Sequence, residues 1–366
     1  MAAVINITSN GSSESSGVEN FVCNPLDNSF PAQVGKILIF SLILLTSFVG
    51  NSLIIFIVYK RPELRKTTNY FIVNMAVSDF IFPLEAIPLS LAYLVSGSLE
   101  WFVDGMAGFI LCKLGTFLRR VSASVSVESL VWIAVDRFVA VVLPMKVRLI
   151  SRRVRTFGIA STWITAIVIN SVDLYMYDLV DKHHTLRCSY SPVYWYTLIY
   201  LLRVALFCIA PLFAMTILYC MIAVTLRKQD KALRLATNNQ ADHKKRRAFK
   251  MSKSIMASFY ICVIPMFVLN IVLRIGIEVP CLSLKLLIFF GYFMLYFSST
   301  INPIICIAFV RSYRHGFINI FHASWRKILN ESNAETCQRE NFSLQQIRLT
   351  PISEKRGIPQ HNQDGR

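Results

Sequence analysis

The chain has 366 residues, 54% of them hydrophobic and only 16% charged, where a soluble domain carries roughly 25% charged residues. Mean hydropathy is +0.50. The formal charge of +17 would suit a nucleic-acid binder, but its Lys and Arg residues fall between long apolar runs. That placement argues against nucleic acid and against a soluble globular fold.

Seven stretches are long enough to cross a ~30 Å hydrocarbon core, which takes about 20 helical residues. They run over 37–59, 70–95, 112–143, 157–177, 194–226, 251–276 and 284–309. Lipid offers no water to bare backbone groups, so each is expected to be helical. Of the 38 Lys and Arg residues, 28 lie in 60–66, 144–155, 227–253 and 311–366. The positive-inside rule places those segments in the cytoplasm. An odd number of spans leaves the N-terminus extracellular and the C-terminus cytoplasmic.

The predicted organisation is an N-terminal tail over 1–36, a seven-transmembrane domain over 37–309, a short amphipathic helix over 310–325 and a disordered tail over 326–366. The N-terminal tail holds two glycosylation sequons, at Asn6 and Asn10. It lacks the basic start and apolar run of a cleavable signal, so the first span is expected to act as the targeting signal. In 310–325, Phe309, Tyr313, Phe317, Ile320, Phe321 and Trp325 recur at helical spacing beside Arg311 and Arg314. That pattern suits a helix on the inner leaflet. The basic run Lys244-Lys245-Arg246-Arg247 reads either as a solvated stretch against anionic lipid or as a partner surface.

Of nine cysteines, Cys208, Cys220, Cys262 and Cys306 lie within spans and read as apolar packers. Cys112 and Cys188 lie on the oxidising side and are expected to pair. Cys23 and Cys281 are the two other outer cysteines, and by elimination a second disulfide is expected, although sequence leaves connectivity open. Cys337 reads as a free thiol, with lipidation as the alternative.

Ionisable groups inside hydrocarbon cost about 2.5–3.5 kcal/mol on insertion scales and demand a reason. Asp79 sits mid-span, and with Ser126, Ser298, Ser299 and Asn302 it makes a candidate hydrated pocket for a small cation. Glu85, Arg119, Arg120, Asp173 and Arg203 recur at similar depth on four spans. They read either as salt bridges between helices or as a polar ligand pocket. Asp136-Arg137 ends the third span and is at its plainest an interfacial pair.

Taken in order, these residues resemble the rhodopsin-like (class A) G-protein-coupled receptors. The resemblance rests on Gly50-Asn51, Asn74-Met-Ala-Val-Ser-Asp79, Cys112, Asp136-Arg137-Phe138, Trp163, Pro211 with Tyr219, Phe259 with Cys262-Val-Ile-Pro265, and Asn302-Pro303. Each falls in the span where the family carries it. Three positions depart: Phe138 stands for the family's tyrosine, Val263 for its tryptophan and Cys306 for the last tyrosine of Asn-Pro-x-x-Tyr. The last two are switch positions, so basal activity and coupling strength are expected to differ from the family norm.

The resemblance implies a ligand entering from outside and a heterotrimeric G protein docking on the basic face. Arg137 would leave Asp136 for the G protein, and Tyr219 would support the active form. Asp79, Ser126, Ser298 and Asn302 would hold an allosteric sodium ion in the inactive form. Pro211, Val127 and Phe259 take the places of the packing switch, and Pro265 and Pro303 would kink their helices. Arrestin is a further implied partner, the plasma membrane the implied location, and no other cofactor is implied. The family's amine-anchoring acid is replaced by Arg119, and its retinal lysine by Tyr296. Arg119, Arg120, Arg203 and Arg274 favour carboxylate or carbonyl groups, while Glu85 and Asp173 accept basic ones. With Tyr296 they form the expected ligand pocket. Such a mixed cavity suits a peptide, as do Pro88 and the Cys23–Cys281 tie. A small acidic metabolite or lipid acid is the alternative ligand. A membrane transporter is the rival of a different class, though no internal repeat supports it. No phosphate loop, metal cluster or nucleophile motif suggests an enzyme, and His183-His184 reads as a solvated loop pair.

Overall fold

The computed structural model describes residues 29–182, 185–190, 195–233, 240–275 and 279–320, with 322 and 326. Asn6, Asn10, Cys23, Cys337 and the His183-His184 pair lie outside the described residues, as does 327–366. Two compact units divide the chain, 1–314 and 315–366.

The first unit is a helical bundle. Its helices are α1 (Phe30–Lys60), α2 (Thr67–Ser96), α3 (Gly105–Val142), α4 (Arg152–Asn170), the short α5 (Val172–Met176), α6 (Trp195–Val204), α7 (Ala210–Leu233), α8 (Gln240–Ile275) and α9 (Cys281–Phe309). A π-helical turn, Ala205–Ile209, joins α6 to α7, so the fifth predicted span is continuous helix with one wider, underwound turn. Boundaries are set by local chemistry. Pro31 opens α1, where its missing N–H costs nothing. Ser151 caps α4 by accepting from the Val154 N–H at 3.4 Å. Gly97 ends α2 in the left-handed region at φ 66°, with its N–H returned to the Tyr93 carbonyl.

Six helical stretches are long and apolar enough to cross a membrane. The exception is α3, which carries Lys113, Arg119, Arg120, Glu128, Asp136 and Arg137. Its surroundings explain the tolerance. It packs against α2, α4, α7 and α8 and against the outer hairpin, so protein groups rather than lipid meet much of its surface.

The expectation of a purely helical chain needs one correction. Residues Tyr177–Lys182 (β1) and Thr185–Tyr190 (β2) form an antiparallel hairpin in the register Leu179↔Cys188. The fourth predicted span therefore ends early, and Tyr177 begins a strand rather than closing a helix. The strands pair with each other and so satisfy their backbone groups outside the bundle. Cys112 at the start of α3 is disulfide-bonded to Cys188, with Cα atoms 5.5 Å apart, which fastens the hairpin over the bundle. Cys281 is also disulfide-bonded, and the expected partner Cys23 lies outside the described residues.

Buried amides and hydroxyls tie the helices together. Asn74 donates to Ser129 Oγ at 2.9 Å and Thr162 Oγ1 at 3.1 Å, and accepts from Trp163 Nε1 at 2.9 Å. One side chain thus joins α2, α3 and α4 with its polar atoms satisfied. Asn51 donates to the Ser299 carbonyl at 3.0 Å, joining α1 to α9. Beside it Gly50 permits close approach, since a Cβ there would lie 2.9 Å from Pro303 Cγ.

At the end of the first unit, residues 311–314 are helical and Tyr313 is fully buried. In the second unit, 315–320 continue as helix with Phe317 and Ile318 exposed. Residues 321 and 323–325 of the predicted amphipathic helix lie outside the described set.

Candidate ligand cavity and switch network

Two adjoining cavities lie at the disulfide end of the bundle. One of about 280 Å³ is walled by Glu85, Arg119, Arg120, Tyr177, Cys188 and Tyr292 among others. A deeper one of about 260 Å³ reaches Asp79, Arg203, Phe259, Val263 and Ser298. They share Arg120, Tyr200 and Asn270. The hairpin and its disulfide form part of the upper wall, so the strands that sequence missed help shape the site.

The five charges predicted at similar depth divide into two groups. Arg119 Nε lies 3.5 Å from Glu85 Oε2, a charge contact without a hydrogen bond. Asp173 is fully buried between two guanidiniums. Arg203 Nη1 donates to its Oδ1 at 2.8 Å, and Arg120 Nε lies 3.1 Å from its Oδ2 at an angle outside hydrogen-bond geometry. Arg120 also donates to the Tyr177 hydroxyl at 2.9 Å. These are interhelical ion pairs, and Glu85, Arg119, Arg120 and Arg203 also face cavity space. Asp173 meets two guanidiniums, and Asp79 places a carboxylate on the wall of the deeper cavity, so its charged groups are of both signs.

Two predicted pocket residues stand apart. Tyr296 is not on either cavity wall. It is 2% exposed, bonded to Ser90 Oγ at 2.7 Å and packed with Phe40 and Phe82 in the α1–α2–α9 core. Its depth suited the pocket, but its face of α9 points to α1 and α2. Arg274 lies on α8, and its side chain is outside the described residues. Sequence reading passed over Asn170, Tyr200 and Asn270, which line the deeper cavity. An uncharged amide within an apolar span was a usable signal at Asn170 and Asn270. Tyr200 had none, because an aromatic there is ordinary core.

Below the cavity, Asp79 accepts from Ser126 Oγ at 2.7 Å and from Asn302 Nδ2 at 2.7 Å. Asn302 Oδ1 is buried without a hydrogen-bond partner. Ser298 instead donates within its own helix, to the Leu295 carbonyl at 2.6 Å. A carboxylate, two hydroxyls and an orphaned amide oxygen make an oxygen-only donor set, which suits a hard cation.

At the opposite, basic end, Arg137 Nη2 donates to Asp136 Oδ2 at 3.0 Å, and the same oxygen accepts from Thr68 Oγ1. Arg137 Nε is buried without a partner. Phe138 follows them on α3. Tyr219 on α7 packs against Phe249 on α8, with ring centroids 5.7 Å apart and planes tilted at 45°. Phe259 and Val263 line the deeper cavity, within two turns before Pro265 in α8. Cys306 is fully buried where the family pattern has tyrosine.

Residues 50–306 match the profile of the family described as 7 transmembrane receptor (rhodopsin family). Among similar proteins is the RYamide receptor of Drosophila melanogaster, 27% identical over 83% of this chain and 68% of that receptor. Neuropeptide FF receptor 1 of Rattus norvegicus is 29% identical over 81% of this chain and 72% of its own length. The QRFP-like peptide receptor of Branchiostoma floridae is 26% identical over 88% and 86%. The matched span runs from the last third of α1 to nearly the end of α9 and includes the disulfide and the Asp79 and Asn74 networks, and the chain belongs to the rhodopsin family of seven-transmembrane receptors.

Proposed function

We propose that this receptor is activated by an extracellular peptide and passes the signal to a heterotrimeric G protein. The observation that carries the reading is the mixed-charge cavity: Glu85 and Arg119 on one side, Arg120 and Arg203 on the other. A peptide offers both carbonyl or carboxylate acceptors and basic donors, and so complements both. The similarity to receptors named for neuropeptides supports it over a small acid. The chain is a receptor and not an enzyme.

In this reading α3 is the third of seven crossings, and residues 310–325 lie along the inner leaflet. The N-terminus is extracellular, the basic end cytoplasmic and the cell surface the location. Cys23 pairs with Cys281, and Asn6 and Asn10 carry glycans. A ligand shifts the two-state bundle only by its differential affinity for the two states. A peptide acceptor at Arg120 and Arg203 competes with Asp173, which sits at the α4–α5 junction, and loosens its hold on α6. At the other end Arg137, Phe138 and Tyr219 meet the G protein once α8 swings about Pro265, with Asn302-Pro303 relaying the change in α9. Arrestin would use the same face.

The Asp79 group would hold a sodium ion in the inactive form through Asp79, Ser126, Ser298 and the free Asn302 oxygen. The ion supplies the positive charge that the buried carboxylate otherwise lacks. Replacing Asp79 with Asn is therefore expected to abolish any sodium dependence of agonist affinity. Competition binding in sodium and in a bulky-cation salt checks it, and a sodium effect that survives in the variant removes the ion from Asp79.

The reading as a whole is tested by screening peptide and acidic-metabolite libraries on cells expressing the receptor, with cAMP and calcium as readouts. Responses to peptides are expected. Responses confined to small acids would favour the alternative ligand.

A further inference from the structure

A third cavity, of about 540 Å³, lies between α7 and α8 at the basic end. Its apolar wall includes Cys220, Ala223, Leu226 and Met256, and its rim carries Arg227, Arg246, Lys250 and Lys253. Among the described residues no carboxylate lines it. The Tyr219 and Phe249 rings, 5.7 Å apart, also line it, which marks where the two helices meet.

Some basic side chains at this end have protein partners. Arg61 pairs with Glu63 at 3.4 Å, Arg65 donates to the Tyr59 carbonyl, Arg155 lies over the Tyr70 ring and Arg247 donates to the Phe309 carbonyl. Arg227, Lys250 and Lys253 differ. Each is exposed, and among the described residues none is in an ion pair. Cations gathered on one cleft from two helices repel one another unless an anion sits between them.

The neighbouring surface identifies the anion's carrier. Phe213, Ile217, Met221 and Val224 are exposed on α7, and Ile261, Ile264 and Val268 on α8. These apolar rows run from the cleft toward the bundle's middle. A soluble anion leaves them bare, whereas a lipid places its headgroup among the cations and its acyl chains along the rows. Several cations against one group favour a headgroup with phosphomonoesters over a single phosphodiester.

We infer that this cleft binds an acidic phospholipid of the phosphoinositide class, its headgroup held by Arg227, Lys250 and Lys253 against the Tyr219 and Phe249 rings. The site needs only that these helices span a bilayer and is independent of the receptor's ligand. Occupancy would set the spacing of α7 and α8 at the end where the signal leaves.

The full-length receptor in phosphatidylcholine nanodiscs, with a trace of fluorescent phosphatidylinositol bisphosphate, tests this without G protein or ligand. Surface cations contribute roughly a fivefold affinity each, so the triple variant Arg227→Gln, Lys250→Gln, Lys253→Gln should bind about a hundredfold more weakly. A second triple, Lys146→Gln, Arg152→Gln, Arg153→Gln, removes equal charge elsewhere and should bind as the parent does. Ala223→Trp, which fills the cleft without touching charge, should weaken binding at least tenfold or so. Equal losses in the two triples, or phosphatidylserine competing as well as the phosphoinositide at matched charge, would show general surface attraction and overturn the site. Unchanged lipid binding with impaired G-protein activation would assign the cations to the protein partner and overturn it equally.

Discussion

Replacing Asp173 with alanine is expected to destabilise the receptor by about 3–5 kcal/mol, the usual cost of stranding a buried charge. Asp173 is fully buried, and among the described residues it is the one ion-pair partner of Arg203, which is 8% exposed. Without it, two guanidiniums stand together with no counter-charge, and the Arg203 Nη1 bond of 2.8 Å is lost. Arg120 is less costly to strand, because its side chain is 30% exposed and keeps the Tyr177 hydroxyl. Thermal melting of the purified receptor should therefore fall steeply in Asp173→Ala. Pairing that change with Arg203→Met should recover much of the loss, since replacing both partners of a buried pair by apolar groups is often near neutral. A double variant as unstable as Asp173→Ala would show that the Asp173–Arg203 pair is not what holds α6 to the α4–α5 junction.

Arg137→Ala is expected to remove nearly all ligand-stimulated nucleotide exchange while changing ligand affinity by about fivefold at most. The second figure is the worth of a partly exposed ion pair: Arg137 and Asp136 side chains are 19% and 12% exposed in their 3.0 Å contact. The Arg137 Nε has no hydrogen-bond partner in this arrangement, so the guanidinium has capacity for a new acceptor once it leaves Asp136. Full exchange by the variant, measured beside unchanged binding, would take Arg137 out of the signalling path.

The helices were legible because lipid and protein interior both demand long apolar runs, and continuous runs survive without any knowledge of packing. Even α3 could be found despite its charges, bracketed by Cys112 and Asp136-Arg137. The hairpin was not legible. Its strands have six residues each, carry Asp178, Asp181 and Arg187 among apolar positions, and the sequence between them has no glycine or asparagine pair to signal a hairpin. Depth along a helix could be counted from the motifs, and so the right charges were gathered. Which charge meets which depends on helix rotation. That is why Glu85–Arg119 and Arg120–Asp173–Arg203 emerge only in three dimensions, and why Tyr296, at the right depth on the wrong face, was misplaced. Asn170 and Asn270 were passed over because attention went to ionisable groups, although a buried amide within a membrane span raises the same question of what satisfies it.

The central claim is that a peptide, acting through this cavity, drives nucleotide exchange on a G protein. The direct measurement is exchange on purified heterotrimers by the full-length receptor in nanodiscs, with and without peptides drawn from the active fraction of a screen. Saturable, peptide-dependent exchange that disappears in Arg137→Ala is the predicted result. No exchange with any peptide, together with saturable solute uptake by the same protein in sealed vesicles, would contradict the account and point to a transporter.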